Sequence, residues 1–308
     1  MTSERLIPGL SSLAAPEFDD VAANPVRTAR GRAAWRRFAR LRLAPPSALV
    51  LLLVIAVCVL GPLFYRVNPN TVDPTLFQQG PTAGHLLGTD DAGRDVLARL
   101  MHGGRVSLLI GFTAALGANL IGLILGAVAG YFGRLANSFL TRFAEVLQAF
   151  PILIVIISVA ALTGPSITLL IVLVALLDWP AAFRVVRSIT MSLREQEMIQ
   201  AVEGLGAGNG RILFRHLLPA MLGPFIVLVT IGTGNVIMLE AGLSFLGLGV
   251  PPPTASWGSM LSAAESLSIL ARMPWLWLPP GLAILITVLT VNFIGDGLRN
   301  VVDPRQAR

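Results

Sequence analysis

Six apolar stretches, near residues 47–65, 106–132, 144–163, 165–185, 221–241 and 276–297, dominate this chain of 308 residues. Each is long enough to cross a hydrocarbon layer about 30 Å thick, which takes roughly 20 apolar residues as a helix. In that solvent every backbone polar group must be bonded within its own segment, so such runs become helices. The expected fold is all-α and membrane-spanning, with six transmembrane helices. Composition agrees, because only 13% of the residues are charged, against about 25% in soluble domains. The third and fourth stretches are parted by Thr163-Gly164-Pro165-Ser166 alone, which predicts a tight helical hairpin. Pro151 and the pair Pro279-Pro280 should kink or start their spans.

Arginine placement orients the helices. The 23 basic residues are all arginine. With the N-terminus inside, 18 of the 23 fall on inner segments and only Arg66, Arg94, Arg99, Arg105 and Arg272 on outer ones. Basic residues favour the cytoplasmic side of short loops. Both termini and the polar insert after the fourth span are therefore expected in the cytoplasm. The net charge of +6 is accounted for by this bias, and nucleic acid is not an expected partner. About 45 polar, arginine-bearing residues precede the first apolar run, unlike a cleavable signal peptide.

Several chemistries are excluded by what is missing. Without lysine no Walker A loop is possible. The single cysteine, Cys58, rules out disulfide, zinc-ribbon and CxxC chemistry within the chain. Ser244, in Gly242-Leu243-Ser244-Phe245, invites an intramembrane protease reading. A serine nucleophile needs a base beside it, and His85, His102 and His216 all lie outside the spans. Asp178 and Glu240 lie in or near spans, where acids are costly and often functional, so a proton-coupled transporter is a second class of reading. Glu145, Glu240 and Asp296 fall near span ends, within reach of water or headgroups. Asp178 is expected to cap or pair. Asp90, Asp91 and Asp95 with His85 could hold a metal. A solvated turn with Asp90 or Asp91 capping a helix from Gly93 towards His102 is preferred, and no metal is expected.

Gly122, Gly126 and Gly130 repeat GxxxG twice, a spacing that lines one helix face and lets another backbone approach closely. Packing within the chain is preferred over packing against another subunit. The insert, 197–222, reads as a short helix from Glu197 to Leu205 with Ile199, Val202 and Leu205 on one face. Gly206 to Gly210 break it, where glycine and asparagine allow positive φ. A second helix opens at Arg211 and leads through Pro219 towards the fifth span.

"EMIQAVEGLGAGNGRILFRHLLP" (197–219) resembles the EAA loop of permeases of ATP-binding-cassette importers. Gln200-Ala201-Val202 occupies the E-A-A triplet, Gly206 the glycine after it, and Leu217-Leu218-Pro219 the hydrophobic-Leu-Pro end. "HLLGTDDAGRDVLARLMHGGRVSLLIG" (85–111), "EVLQAFPILI" (145–154) and "LEAGLSFLGLGVPPPTASWGSML" (239–261) are similar to C-type dipeptide and oligopeptide permeases. The resemblance covers about residues 45–305. It implies a type I importer permease fold and a chain that performs no bond chemistry. It also implies that Glu197, Gln200, Ala201, Val202, Gly206, Arg215, His216, Leu218 and Pro219 couple to an ATPase. The glutamate and second alanine of the triplet are replaced here. The implied partners are a homologous B-type permease, two ATP-binding subunits that hold ATP and Mg, an extracytoplasmic substrate-binding protein and membrane lipid. No cofactor belongs to this chain. The implied cargo is a dipeptide or oligopeptide, with nickel or glutathione as alternatives within the family.

The expected division is an arginine-rich arm (1–45), a first transmembrane helix (46–66) and an extracytoplasmic arm (67–105). A permease core (106–298) of five helices follows, with the coupling loop at 186–220 and an outer segment at 242–275. A tail (299–308) closes the chain.

Overall fold

Each apolar run becomes helix, and prolines decide where the runs bend. The computed structural model describes residues 38–39 and 41–302, apart from the side chains of 263 and 264. The arm up to residue 37, with Arg5, Arg27, Arg30, Arg32, Arg36 and Arg37, lies outside the described residues. So do Arg40 and the tail from 303, with Arg305 and Arg308.

Among the described residues five helical runs are long and apolar enough to cross a membrane: Ala44–Phe64, Val96–Phe132, Ile167–Arg194, Asn209–Phe245 and Pro274–Val302. A bent pair, Arg134–Gln148 and Ile152–Thr163 at 70° to each other, makes a sixth crossing when the two are counted as one span. In chain order α1 is Ala44–Phe64, α2 Val96–Phe132, α3 Arg134–Gln148 and α4 Ile152–Thr163. Then come α5 (Ile167–Leu177), α6 (Trp179–Arg194), α7 (Glu197–Gly204), α8 (Asn209–Ile212) and α9 (Leu218–Phe245). Two short helices, α10 (Trp257–Leu261) and α11 (Leu267–Arg272), precede α12 (Pro274–Val302). The end of the bundle carrying α7 and α8 is called the insert end; the opposite one is the far end.

Several boundaries differ from the sequence reading. The third span is broken: Pro151 caps α4, and its missing N–H and fixed φ stop α3 three residues earlier. α3 is amphipathic, leaving Leu135, Phe139, Phe143 and Val146 exposed. α2 starts at Val96, ten residues before the expected span, so the last part of the 67–105 arm is helix. Residues 186–194 belong to α6 and 218–220 to α9, which narrows the insert to 195–217. The outer segment narrows likewise, to 246–273. Pro279 and Pro280 fall inside α12, which begins at Pro274.

α2 is the central post. A Cβ on Gly122 would stand 2.8 Å from Trp179 O, on Gly126 2.8 Å from Phe183 O, and on Gly130 2.8 Å from Arg187 O. Successive turns of α6 thus lie backbone-to-backbone on α2, closer than any side chain permits. On the other side of α2, Pro62 inside α1 lacks the N–H that would bond the Cys58 carbonyl. Arg105 of α2 fills the gap. Its Nε donates to Cys58 O (2.7 Å) and its Nη2 to Val59 O (2.6 Å).

Candidate functional site

The insert is tied to the bundle by both apolar and polar contacts. α7 ends in a Schellman turn: Ala207 N–H donates to Val202 O (3.2 Å) and Gly206 N–H to Glu203 O (3.0 Å). That turn needs a left-handed residue, and Gly206 supplies it at φ +80°. A Cβ there would meet nothing within 4 Å, so only the backbone demands glycine. The chain then turns through Gly208 into α8, which continues without a break into α9. The second helix of the insert is therefore the foot of a membrane helix, starting at Asn209 rather than Arg211. Pro219 does not interrupt it, because residues 213–217 widen into a π-turn closed by Leu218 N–H to Leu213 O. Such a turn accommodates a residue that cannot make the ordinary bond and is frequent at functional sites.

Ile199, Ile212, Leu217 and Met221 are buried together with Leu123, Ala127 and Tyr131 of α2 and Val186 of α6. Tyr131 adds a polar seam: its hydroxyl donates to Asn209 Oδ1 (3.1 Å), and its carbonyl accepts from Arg194 Nη1 (2.8 Å). The Arg194 guanidinium also lies over the Tyr131 ring, 5.6 Å from its centroid. The insert is thus keyed to the ends of α2 and α6.

Its outer surface has a different character. Glu197, Gln200, Ala201, Gly206, Arg215 and Pro219 are exposed, while Val202, His216 and Leu218 are half-buried. Leu205 does not share the face of Ile199, as it is 88% exposed. Met198 and Phe214 join it on the surface. Glu197, Glu203, Arg211 and Arg215 form no ion pair among the described residues. The sequence reading missed Tyr131, Arg194, Asn209 and Phe214. The exposed Phe214 next to buried Ile212 was the available signal.

The other candidates resolve differently. Asp95, rather than Asp90 or Asp91, caps α2, accepting from Ala98 N–H (2.7 Å). It also accepts from the Tyr65 hydroxyl and meets His85 Nδ1, both at 2.8 Å. Burial, then the bond to Asp95, pushes the Tyr65 phenol up to about 12. Asp90 is held by Arg94 Nε (2.8 Å) and Arg99 Nε (3.4 Å). Among the described residues no three His, Cys, Asp or Glu side chains gather as a metal site. Asp178 occupies the N-cap position of α6 but makes no side-chain cap bond. Nor does it form an ion pair among the described residues. Glu145 pairs with exposed Arg142 at 2.8 Å. Glu240 does not reach water or headgroups; it is fully buried. Ser244 donates its proton to Glu240 and has no histidine partner.

Residues 122–308 match the family described as binding-protein-dependent transport system inner membrane component. Residues 30–81 match the N-terminal TM domain of oligopeptide transport permease C. A putative peptide permease protein of Brucella suis is 45% identical over 83% of this chain and 85% of its own length. The dipeptide transport system permease protein DppC of Alkalihalophilus pseudofirmus is 39% identical, covering 94% of this chain and 93% of that protein. A putative peptide transport system permease protein of Brucella suis is 38% identical over 96% of this chain and 98% of its own length. With a multi-pass bundle, no nucleotide motif and matches of this extent, the chain belongs to the family of binding-protein-dependent transport system inner membrane components.

Proposed function

We propose that the chain is the C-type permease subunit of an ATP-driven peptide importer, lining half of the passage beside a homologous B-type permease. Two ATP-binding subunits dock at the insert end, which faces the cytoplasm, and an extracytoplasmic binding protein delivers cargo at the far end. The names of the relatives, peptide and dipeptide permeases, support the cargo class. ATP and Mg belong to the partner subunits; this chain's share is mechanical.

One observation carries the reading. The insert buries Ile199, Ile212 and Leu217 in the bundle while leaving Met198, Leu205 and Phe214 in the open. Exposed apolar groups beside unpaired charges suit a protein interface. The buried ones make the insert move with α2, α6 and α9, as a coupling element must. Glu197, Gln200, Ala201 and Arg215 present the docking face; Val202, His216, Leu218 and Pro219 shape its join to α9.

The test is Gly206→Val. A β-branched residue at positive φ is a genuine outlier, so α7 should leave its seat while the spans stand. The expected result is normal membrane level and normal pairing with the partner permease. Uptake should collapse, and the ATPase subunits should be lost or no longer respond to loaded binding protein. Parental uptake together with parental recovery of the ATPase subunits in a pull-down would sink the reading.

A further inference from the structure

At the far end a single carboxyl organises a whole loop. α9 closes in a second Schellman turn, with Gly247 at φ +76° and Leu248 N–H donating to Leu243 O (2.9 Å). The chain from Leu246 to Ser256 then folds back over α2 and α9. Glu240 and Ser107 beneath it and Ser256 at its end are fully buried, and Ser244 is buried with them. Glu240 forms no ion pair among the described residues.

The polarity of this knot can be read from its backbone donors. A backbone N–H can only donate. Val250 N–H gives its proton to Ser244 Oγ (3.2 Å), and Trp257 N–H gives its own to Ser107 Oγ (3.1 Å). Each hydroxyl keeps its proton for Glu240: Ser244 Oγ donates to Oε1 (2.6 Å) and Ser107 Oγ to Oε2 (3.0 Å). One oxygen thus holds the start of the loop and the other its end. Close packing seals the arrangement. A Cβ on Gly258 would stand 2.6 Å from Ala241 Cα, and one on Gly103 3.1 Å from the Ser256 carbonyl carbon. The Trp257 indole N–H reaches Leu100 O at 3.0 Å.

We infer that Glu240 is the positioning residue of the far-end loop, a clasp that accepts at both carboxyl oxygens and, through Ser244 and Ser107, fixes the loop to α9 and α2 at its two ends. The loop then moves only as part of those helices. α2 and α9 also seat the insert, so a disturbance of the loop reaches both ends of the bundle. Residues 246–257 also line an outer cavity of about 390 Å³ through Gly247, Val250, Pro252 and Thr254, opposite Arg94 and Arg99. Its shape depends on the clasp.

The experiment uses the purified full chain in nanodiscs with Cys58→Ala, carrying one buried reporter, Val250→Cys or Ala255→Cys, and a maleimide probe. Ser244→Ala should speed labelling at position 250 by about tenfold and at 255 far less, because Ser244 Oγ meets Ser256 Oγ only at 3.5 Å. Ser107→Ala should do the reverse, since each loses one bond to a carboxyl. Glu240→Gln has the same size but one acceptor instead of two, and should speed at least one reporter. Unchanged labelling in Glu240→Gln, or equal acceleration at both reporters in each serine variant, would overturn the clasp. The serine pair decides the matter alone if Glu240→Gln does not accumulate.

A second arm rests on the importer reading. In the reconstituted transporter, Ser107→Ala should keep basal ATP hydrolysis and lose at least half of its stimulation by loaded binding protein. Arm-specific labelling with full stimulation would keep the clasp and overturn its part in transport.

Discussion

The two ends of the bundle are fastened by opposite chemistries. At the insert end, α7 and α8 are seated mainly by apolar side chains, with Tyr131 bonded once to Asn209 and once to Arg194. At the far end the loop after α9 is held by a carboxyl, two serines and backbone N–H groups, locked by glycine contacts. Apolar contacts are non-directional and tolerate small sliding. A satisfied buried polar network specifies one geometry. The insert end can therefore adjust slightly in its seat, while the far-end loop keeps one shape.

The largest expected effect breaks the post that joins the two ends. Gly126→Leu adds a side chain where even a Cβ would meet Phe183 O at 2.8 Å and Arg187 N at 3.1 Å. Overpacking usually costs about 1–3 kcal/mol. Here both obstacles are backbone and neither can rotate away, so the cost should exceed that range. The variant should be nearly absent from membranes by immunoblot. Normal yield would show that α2 and α6 can part without loss.

Ile212→Ala should act on one end only. Ile212 is the insert's own side chain, fully buried in the bundle, and removing such a side chain costs about 2–5 kcal/mol. The low part of that range is expected, because the site borders water and can relax. Protease nicking between residues 195 and 211 should rise while far-end loop cleavage stays at the parental rate. Equal gains at both ends would show that the two ends are not fastened independently.

The smallest effect sharpens the contrast at the far end. Arg105→Leu removes the donor that satisfies the carbonyl left free by Pro62. In a Pro62→Ala background the new N–H can bond Cys58 O, so losing Arg105 should cost less there, by about 1 kcal/mol. Thermal inactivation of the four proteins of the cycle measures this coupling. Equal losses in both backgrounds would show that Arg105 serves some other contact.

The membrane runs were legible because hydrophobicity is summed over a segment and does not depend on its neighbours. The turn at Gly206 was legible too, since its demand is made by the backbone of that residue alone. What escaped depended on distant partners. Ser107 lies 133 positions from Glu240, and nothing near Glu240 shows that its carboxyl turns inward. Leu205 follows the helical spacing of Ile199, yet it is the C-cap residue just past α7 and lies 88% exposed. Asp95 caps α2 in place of two nearer-looking aspartates because Asp90 is engaged by Arg94 and Arg99. Pro219 suggested a helix stop, and only a widened turn reconciles it with a continuous helix.

The bend at Pro151 has a consequence of reach. α4 has 12 residues, which span about 18 Å, against a hydrocarbon layer of about 30 Å. The α4 rod alone is therefore shorter than that layer, and α3 veers off at 70° with its aromatic side chains uncovered. With Phe139 and Phe143 exposed on an amphipathic helix, α3 suits the boundary between headgroups and acyl chains, where its rings lie in lipid. Thinning a bilayer costs a fraction of a kcal/mol per Å of mismatch. An α3 lying in that boundary makes up reach that α4 lacks, which keeps that cost small.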